Sequence, residues 1–277
     1  MTPPLPPSPA PAAVLNDAVL NDAVLDCAVL AYADDEVEVF HRPGRSAFTL
    51  VTFAGRDMPA NGHDFWRRAQ AAALDLDCLG FVARRANWYP TAALRQAALA
   101  VAGLGQRLRL GYGKGMGGHA VLKHGRLLGL QHALAVRPVF AGSGGFAAGE
   151  RPPRHGLPPA LATQMVLHHR DLPPWSAAVL DPYTGPEREH AARLAALGVR
   201  VVVAPFMAER AALLLGGSQR PVLAALEAGD ATALRHLLRR RRKASAVWYG
   251  RMAGQAEQHG HTALAARLRA RQERIKG

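Results

Sequence analysis

A glycine-rich turn between an apolar run and a helix-forming segment constrains the fold of this chain more than any other feature. The residues from Leu108 to Leu122 read LRLGYGKGMGGHAVL. In the motif Gly-x-Ser-x-Gly, a serine stands on a strained turn between a strand and a helix, and its hydroxyl projects above the sheet. Gly113–Gly117 has this frame, but Gly115 holds the serine position. Because glycine has no side chain, the sequence predicts a nucleophile-presenting turn without its nucleophile.

From Glu36 onward, apolar runs typical of strands alternate with segments of helical spacing. The predicted strands are Glu36–His41, Phe48–Ala54, Cys78–Val82, Arg107–Gly111, Gln131–Val136, Ala177–Leu180 and Val199–Ala204. The predicted helices between them are His63–Leu74, Ala92–Ala102, a helix that begins near Gly118, and Glu187–Leu197. This alternation predicts an α/β fold with a mostly parallel sheet flanked by helices.

The chain is predicted to have three parts. Residues 1–35 contain a Pro/Ala-rich start and repeats of Ala-Val-Leu-Asn-Asp, and we expect this segment to be flexible. Residues 36–220 form the α/β domain. Residues 221–277 read as a basic helical extension packed on that domain. The Gly- and Pro-rich stretch Gly142–Pro159 is predicted to be a surface loop.

Several motifs, in order along the chain, carry a resemblance to a known family. They are Val51–Gly55, Phe65-Trp66, Asn87–Pro90, Tyr112–Gly118, Leu180–Tyr183 leading to His190, Ala204–Phe206 and Leu237–Lys243. With them the chain resembles a group of bacterial α/β-hydrolase-like proteins, whose turn usually reads Tyr-Gly-x-Ser-Met-Gly-Gly. The resemblance implies an α/β-hydrolase-like fold and implies no particular substrate, since such proteins share a scaffold and not one chemistry.

The resemblance also implies where a catalytic triad would lie, in the chain order Ser, acid, His. The acid position follows the strand Ala177–Leu180, where Asp181 and Glu187 are candidates. The histidine position follows Pro205-Phe206 and is held by Glu209. A carboxylate does not accept and hold a serine proton at neutral pH as imidazole does. The first hypothesis is therefore a catalytically degenerate protein that binds a ligand or a protein partner.

A binding pocket could survive the loss of these side chains, because an oxyanion hole is built from backbone N–H groups. The expected donors are Ala54 or Gly55, at the end of the predicted strand Phe48–Ala54, and Met116 after the nucleophile position. The other expected pocket residues are Asn87, Trp88, Tyr89, Gly117 and His119, the histidine most expected to face the pocket. The opposing interpretation is that the glycines remain only because the turn needs their backbone freedom, and that Asn87–Pro90 is a structural turn.

Other chemistries are alternatives to this hypothesis. An active esterase would need a nucleophile such as Ser143, with His119 as its base. Gly113-x-Gly115-x-x-Gly118 also fits a dinucleotide-binding motif, but no acid that could hold the ribose occurs between Gly118 and Gly149. The histidines lack the spacing of metal ligands. We therefore predict no cofactor and no metal.

The net charge of +13 is concentrated near one end of the sequence. Residues 1–40 hold seven acidic side chains and no Lys or Arg, whereas residues 235–277 hold twelve Lys or Arg and two Glu. The block Arg239, Arg240, Arg241, Arg242 and Lys243 raises a third hypothesis, binding of nucleic acid or another polyanion. The alternative is that the block packs against the body of the protein.

Three further features concern where the protein resides. No apolar run approaches the roughly 18–20 residues that a membrane span needs. No Lys or Arg precedes Arg42, so a secretory signal with a basic start is not predicted. Cys27 and Cys78 are too few for a disulfide framework, which favours a cytoplasmic location.

Overall fold

The computed structural model describes residues 28–138, 164–183 and 185–277. The N-terminal repeat up to residue 27, the Gly/Pro-rich loop 142–159 and Ser143 lie outside these residues. Within them, eight strands form one sheet. The strands are β1 (Val29–Ala33), β2 (Val37–Arg42), β3 (Thr49–Phe53), β4 (Asp77–Ala83), β5 (Arg109–Lys114), β6 (His132–Val136), β7 (Trp175–Leu180) and β8 (Arg200–Val203).

The strand order is β1-β2-β4-β3-β5-β6-β7-β8. Strands β1 and β2 pair antiparallel with each other, and β2 also pairs antiparallel with β4. All remaining pairs, from β4–β3 to β7–β8, are parallel. Strand β5 lies between β3 and β6 inside the sheet, and the glycine-rich turn follows its carboxyl end. This sheet, with the turn on an inner parallel strand, is the architecture of the α/β-hydrolase fold.

Among the described residues, four helices connect the strands and four more follow the last strand. The first four are α1 (Arg68–Ala73), α2 (Thr91–Ala100), α3 (Met116–Lys123) and α4 (Gly185–Ala196). The last four are α5 (Arg220–Glu227), α6 (Ala231–Lys243), α7 (Ala246–Gln258) and α8 (Thr262–Lys276). Short 3₁₀ helices span His169–Asp171 and Ala208–Leu215. No helix of the described residues is long and apolar enough to cross a membrane.

Helices cover both faces of the sheet, which explains why its inner strands are apolar on both sides. One buried cluster joins alternate side chains of the strands to α2, α3 and α4. The other joins the opposite side chains to α1, the 3₁₀ helix Ala208–Leu215, α5 and α6. Every residue of β4 and β7 is buried. Continuous apolar runs of this kind are typical of a parallel sheet between two helix layers.

The sheet begins earlier than the sequence indicates. The segment expected to be flexible was predicted to reach residue 35, but β1 occupies Val29–Ala33 and pairs with β2. The reason is tertiary, because β2 offers an unpaired edge to which an Ala/Val/Leu-rich segment can add hydrogen bonds. The predicted flexible segment is therefore too long by at least these five residues.

The C-terminal helices continue directly from the α/β domain. Asp230 caps the start of helix α6, because its carboxylate accepts the N–H groups of Thr232 and Ala233 at 2.8 and 2.9 Å. Its buried leucines join the sheet-facing cluster beside β8. Helices α7 and α8 form an antiparallel hairpin, and Trp248 at its base donates its indole N–H to the Pro205 carbonyl at 3.2 Å.

Candidate functional site

The turn after β5 has the backbone geometry of a nucleophile elbow. Gly115 has φ 58° and ψ −118°, and α3 begins at the next residue, Met116. The Gly115 N–H donates to the Val136 carbonyl at 2.8 Å, and the His119 N–H donates to the Gly115 carbonyl at 3.0 Å. A residue other than glycine would be strained at this positive φ, as the serine of such an elbow is.

The glycines on either side of Gly115 are required by packing. A Cβ on Gly113 would collide with the backbone of Gly117, and a Cβ on Gly117 would collide with the backbone of Phe53 and Ala54. At Gly115 a Cβ would meet no heavy atom within 4 Å. The structural interpretation of the glycines thus holds for the two flanking positions. At Gly115 only the backbone angle favours glycine, and the space that a nucleophile would enter is open.

The two acid candidates after β7 have different surroundings. The Asp181 side chain is buried, and its Oδ1 accepts the Tyr183 N–H at 3.2 Å. Glu187 accepts the Asp181 N–H at 2.7 Å on Oε2 and forms an ion pair with Arg137 through Oε1. Since both oxygens of Glu187 hold neighbouring loops in place, Asp181 remains as the candidate for the acid position.

The loop after β8, where the histidine of a triad would stand, lies against the loop after β7. The ring of Phe206 stacks on that of Tyr183, with 5.0 Å between centroids. Phe206 has a positive φ of 59° and precedes the buried Met207. The side chain of Glu209 is outside the part that the structure describes, so its place in the histidine position stays a prediction.

One of the predicted oxyanion donors is already bonded within the sheet. The Ala54 N–H donates to the Phe81 carbonyl at 2.9 Å, so Ala54 does not supply an oxyanion donor. The Asp57 carboxylate lies beside Gly55 and faces Lys114, with 3.5 Å between Nζ and Oδ2. The expected backbone donors are thereby reduced to Gly55 and Met116, next to an ion pair that the sequence did not indicate.

The segment Asn87-Trp88-Tyr89 is buried, and its polar groups are used internally. The Asn87 amide donates to the backbone and the carboxylate of Glu36 at 2.7 and 2.8 Å. The Tyr89 hydroxyl lies 2.8 Å from the Ala54 carbonyl. Trp88 and Tyr89 both have positive φ, 62° and 59°. These contacts favour the structural turn over the predicted ligand contact for Asn87 and Tyr89.

His119 is inside the protein, contrary to the expectation that it faces the pocket. It is fully buried, and its ring packs edge-on against that of Trp88 at 5.9 Å between centroids. The neighbouring His124 is also buried, and its Nε2 lies 2.9 Å from the Tyr89 carbonyl. Burial, with the nearby His119 second, lowers the pKa of His124 to about 3, so this ring is neutral near pH 7. Helix α3 turns both rings inward because it packs under the Trp88-Tyr89 turn.

The arginine block is divided between structural and exposed side chains. The Arg241 guanidinium donates to the carbonyls of Leu214 and Ser218 at 3.0 and 2.5 Å. Arg242 lies over the ring of Trp248, 5.1 Å from its centroid. Arg239, Arg240 and Lys243 are exposed. Part of the block therefore packs, as one interpretation predicted, and part remains available to an anion.

One large cavity with a mostly basic lining has no counterpart among the sequence predictions. The cavity, of about 800 Å³, lies between α2 and α3, and its lining includes Arg95, Lys123, Arg126 and Arg170. These cations come from three separate segments of the chain, around residues 95, 123–126 and 170, so no single local pattern marks the cavity. Among the described residues, no group of three His, Cys, Asp or Glu side chains is placed to hold a metal ion.

Comparison with known proteins gives distant structural likenesses. The sequence matches no protein family and no curated protein. The capsule O-acetyltransferase of Neisseria meningitidis serogroup A is 11% identical, covers 62% of this chain and 83% of its own, and has a TM-score of 0.45. A bacterial heroin esterase is 16% identical, with 80% and 89% covered and a TM-score of 0.42. The bottromycin epimerase BotH, in complex with bottromycin A2, is 14% identical, with 75% and 98% covered and a TM-score of 0.43. At these values the likeness adds nothing about chemistry, and the assignment of the fold rests on the sheet and its elbow.

Proposed function

We propose that this α/β-hydrolase-fold protein has lost serine-dependent hydrolysis and acts by binding a ligand at the elbow. The observation that carries the proposal is the combination found at Gly115. The backbone keeps φ 58° and ψ −118°, the space above it is open, and no side chain is present to attack a carbonyl. A turn that had only to connect a strand to a helix would not need this strained form.

The surroundings of Gly115 favour recognition of an oxygen-bearing group. The first N–H groups of α3 have no acceptor within the helix, because no turn precedes them. The positive end of the helix dipole lies at the same end, next to Gly115. Lys114, one residue before Gly115, adds a cation that also pairs with the Asp57 carboxylate at 3.5 Å. Carbonyl, carboxylate and phosphate oxygens are the groups that such donors bind.

Serine-directed labelling tests the loss of catalysis. We expect a fluorophosphonate probe to leave the purified wild-type protein unlabelled and short-chain esters unhydrolysed. The variant Gly115→Ser/Glu209→His restores the missing side chains, and we expect it to be labelled. Gly115→Ala is the matched control, because it introduces the same backbone strain without a hydroxyl.

Two outcomes would contradict the proposal. Labelling or turnover in the wild type above a heat-denatured control would establish an active hydrolase, and Ser143 would be the first nucleophile to replace. A double variant that unfolds cooperatively, like the wild type, but takes no label would remove Gly115 from the nucleophile position. Circular dichroism of each variant separates this second result from misfolding.

A further inference from the structure

A small cavity lies at the carboxyl end of β8 and is bounded by α6. Its volume is about 170 Å³. The floor is apolar, formed by Val203, Ala204, Pro205, Leu214 and Leu238. The remaining lining residues are Arg235, Arg239 and Arg242. Positions i, i+4 and i+7 share one face of a helix, so α6 places three arginines along the same side of the cavity, with Arg235 and Arg239 also exposed to solvent.

Among the described residues, no acid balances these three charges. Their cavity is lined by no carboxylate, and none of the three arginines has an ion pair with an acid in the part of the chain that the structure describes. The contrast with Arg137, Arg45 and Arg85 is direct, since each of those pairs with a carboxylate. Three like charges around one cavity repel one another unless an anion lies between them.

Arg242 supplies the second, independent observation. Its Nε is buried and has no hydrogen-bond partner among the described residues. The guanidinium is held in place by Trp248, whose ring it covers at 5.1 Å. Burial and the charge of Arg239 lower the pKa of Arg242. A buried donor without an acceptor is costly, so an arrangement that keeps one in place points to an acceptor that arrives from outside.

The size of the cavity and the type of donor identify the class of ligand. A volume of about 170 Å³ is several times the roughly 30 Å³ that one water occupies in the liquid. It is too small for a nucleotide base together with its sugar. Guanidinium groups bind phosphate oxygens in pairs of parallel hydrogen bonds, and a dianion balances three cations better than a carboxylate does.

We infer that Arg235, Arg239 and Arg242 form a binding site for a phosphate group, either inorganic phosphate or the phosphate of a small monoester. The site lies beside the loop after β8, at the same edge of the sheet as the elbow. It goes beyond the proposed function and does not depend on the fate of the nucleophile.

Calorimetric titration of the full chain with inorganic phosphate and with phenyl phosphate tests this inference. Ionic strength is held constant with sodium chloride, and sodium acetate serves as the monoanionic comparison. We expect saturable binding at one site per chain for both phosphates and much weaker binding of acetate. A higher affinity for phenyl phosphate than for inorganic phosphate would indicate a monoester as the natural ligand, and the reverse order would indicate the free ion.

Two matched double variants distinguish a specific phosphate site from general electrostatic attraction to α6. Arg235→Gln/Arg239→Gln removes two charges that line the cavity, and we expect it to weaken phosphate binding by about tenfold or more. Arg240→Gln/Lys243→Gln removes two charges from the same helix outside the cavity lining, and binding should stay within about threefold of the wild type. Arg242→Lys keeps the charge but loses the Nε donor, and we expect it to weaken binding as well.

The inference fails if phosphate gives no saturable heat in the wild type. It also fails if the two double variants lose affinity equally, because the effect is then one of total charge. Binding of a short DNA duplex that is stronger than phosphate binding and equally sensitive to both double variants would assign the block to nucleic acid instead. Cooperative unfolding of each variant in urea shows that a lost affinity is not a lost fold. Fluorophosphonate labelling of the Gly115 variants is read separately, so failure here leaves the proposed function untouched.

Discussion

Gly113, Gly115 and Gly117 stand two residues apart and have different physical reasons to be glycine. Gly113 and Gly117 allow strand β5, helix α3 and strand β3 to approach more closely than a methyl group permits. Gly115 is glycine at a position where a side chain would fit but the backbone has φ 58°. Gly113 and Gly117 are required sterically by the scaffold, whereas Gly115 stands at the position for which we propose the loss of a nucleophile.

This difference predicts unequal effects of alanine at the elbow. Gly115→Ala should cost about 1–2 kcal/mol of unfolding free energy, the cost of a left-handed backbone for an L-residue. Gly117→Ala should cost about 3 kcal/mol or more, because its Cβ meets the backbone of β3, which cannot rotate away. Urea unfolding followed by circular dichroism measures both. Equal costs would contradict the open space above Gly115.

His124 predicts a pH dependence of stability. Its pKa in the folded protein is lowered from 6.5 to about 3 by burial, with charges on His119 and Lys123 acting in the same direction. The hydrogen bond to the Tyr89 carbonyl and the charge of Asp171 act against the shift. Because the unfolded chain binds a proton that the folded one does not, the contribution of neutral His124 is present above pH 6.5 and is lost as the pH falls toward 3.

We expect His124 to remove about 1.4 kcal/mol of stability per pH unit over that interval. His124→Gln keeps a donor for the Tyr89 carbonyl but cannot titrate, so its stability should fall less steeply between pH 6.5 and 4.5. His236→Gln, at an exposed position of α6, is the control and should follow the wild type. Parallel curves for all three proteins would show that His124 is already charged when folded.

At the scale of elements, the carboxyl ends of β7 and β8 are held together by contacts that cross loops. Glu187 at the start of α4 binds the Asp181 N–H and Arg137, which follows β6. Tyr183 and Phe206 join the next pair of loops by stacking. These contacts fix the edge of the sheet where α/β proteins place their binding sites. The candidate acid position, Asp181, is thus held in place by its neighbours.

Glu187→Ala should destabilise the protein by about 2–3 kcal/mol. The change leaves the Asp181 N–H and the Arg137 guanidinium without their acceptor, and Arg137 is exposed enough to regain some water. Glu189→Ala breaks an i,i+4 pair with Arg193 on the outer part of the same helix, and it should cost less than about 1 kcal/mol. Thermal and urea unfolding compare the two. A Glu187→Ala cost as small as that of Glu189→Ala would mean that the pair does not hold the loops.

At the scale of the whole molecule, charge is unevenly distributed over the fold. The chain carries a net +13, and the helices from α6 onward carry most of the clustered cations. Arg241 and Arg242 are partly packed, whereas Arg239, Arg240 and Lys243 face solvent. Such an excess of one sign opposes the compact state through self-repulsion.

Raising sodium chloride from about 20 to about 300 mM should therefore raise the melting temperature, since the Debye length falls to a few ångströms and screens this repulsion. The buffer contains no phosphate or sulfate, so that the inferred anion site does not contribute. The variant Arg240→Gln/Lys243→Gln carries less repulsion and should respond less to salt. A melting temperature that falls with salt would show that the surface ion pairs outweigh the repulsion.

The sequence by itself determined the alternation of strands and helices from β2 onward and the glycine-rich turn after β5, but not strand β1. Apolar runs at strand spacing and a glycine at every second position of the turn are local patterns. Local patterns can be recognised in the sequence without knowledge of the fold. Gly115 has a positive φ of 58°, as the frame Gly113–Gly117 indicates for the residue in the serine position.

The tertiary structure alone decided which side chains face a site. In the folded protein the Ala54 N–H donates to a carbonyl of β4, and His119 and His124 are buried. Glu187 forms an ion pair with Arg137. The tertiary structure also divided one run of arginines into packed and exposed members, and formed a cavity between the end of β8 and the face of α6 that carries Arg235, Arg239 and Arg242. The physical reason is that burial and pairing depend on neighbours distant in sequence, whose positions are fixed only when the sheet and its helix layers assemble.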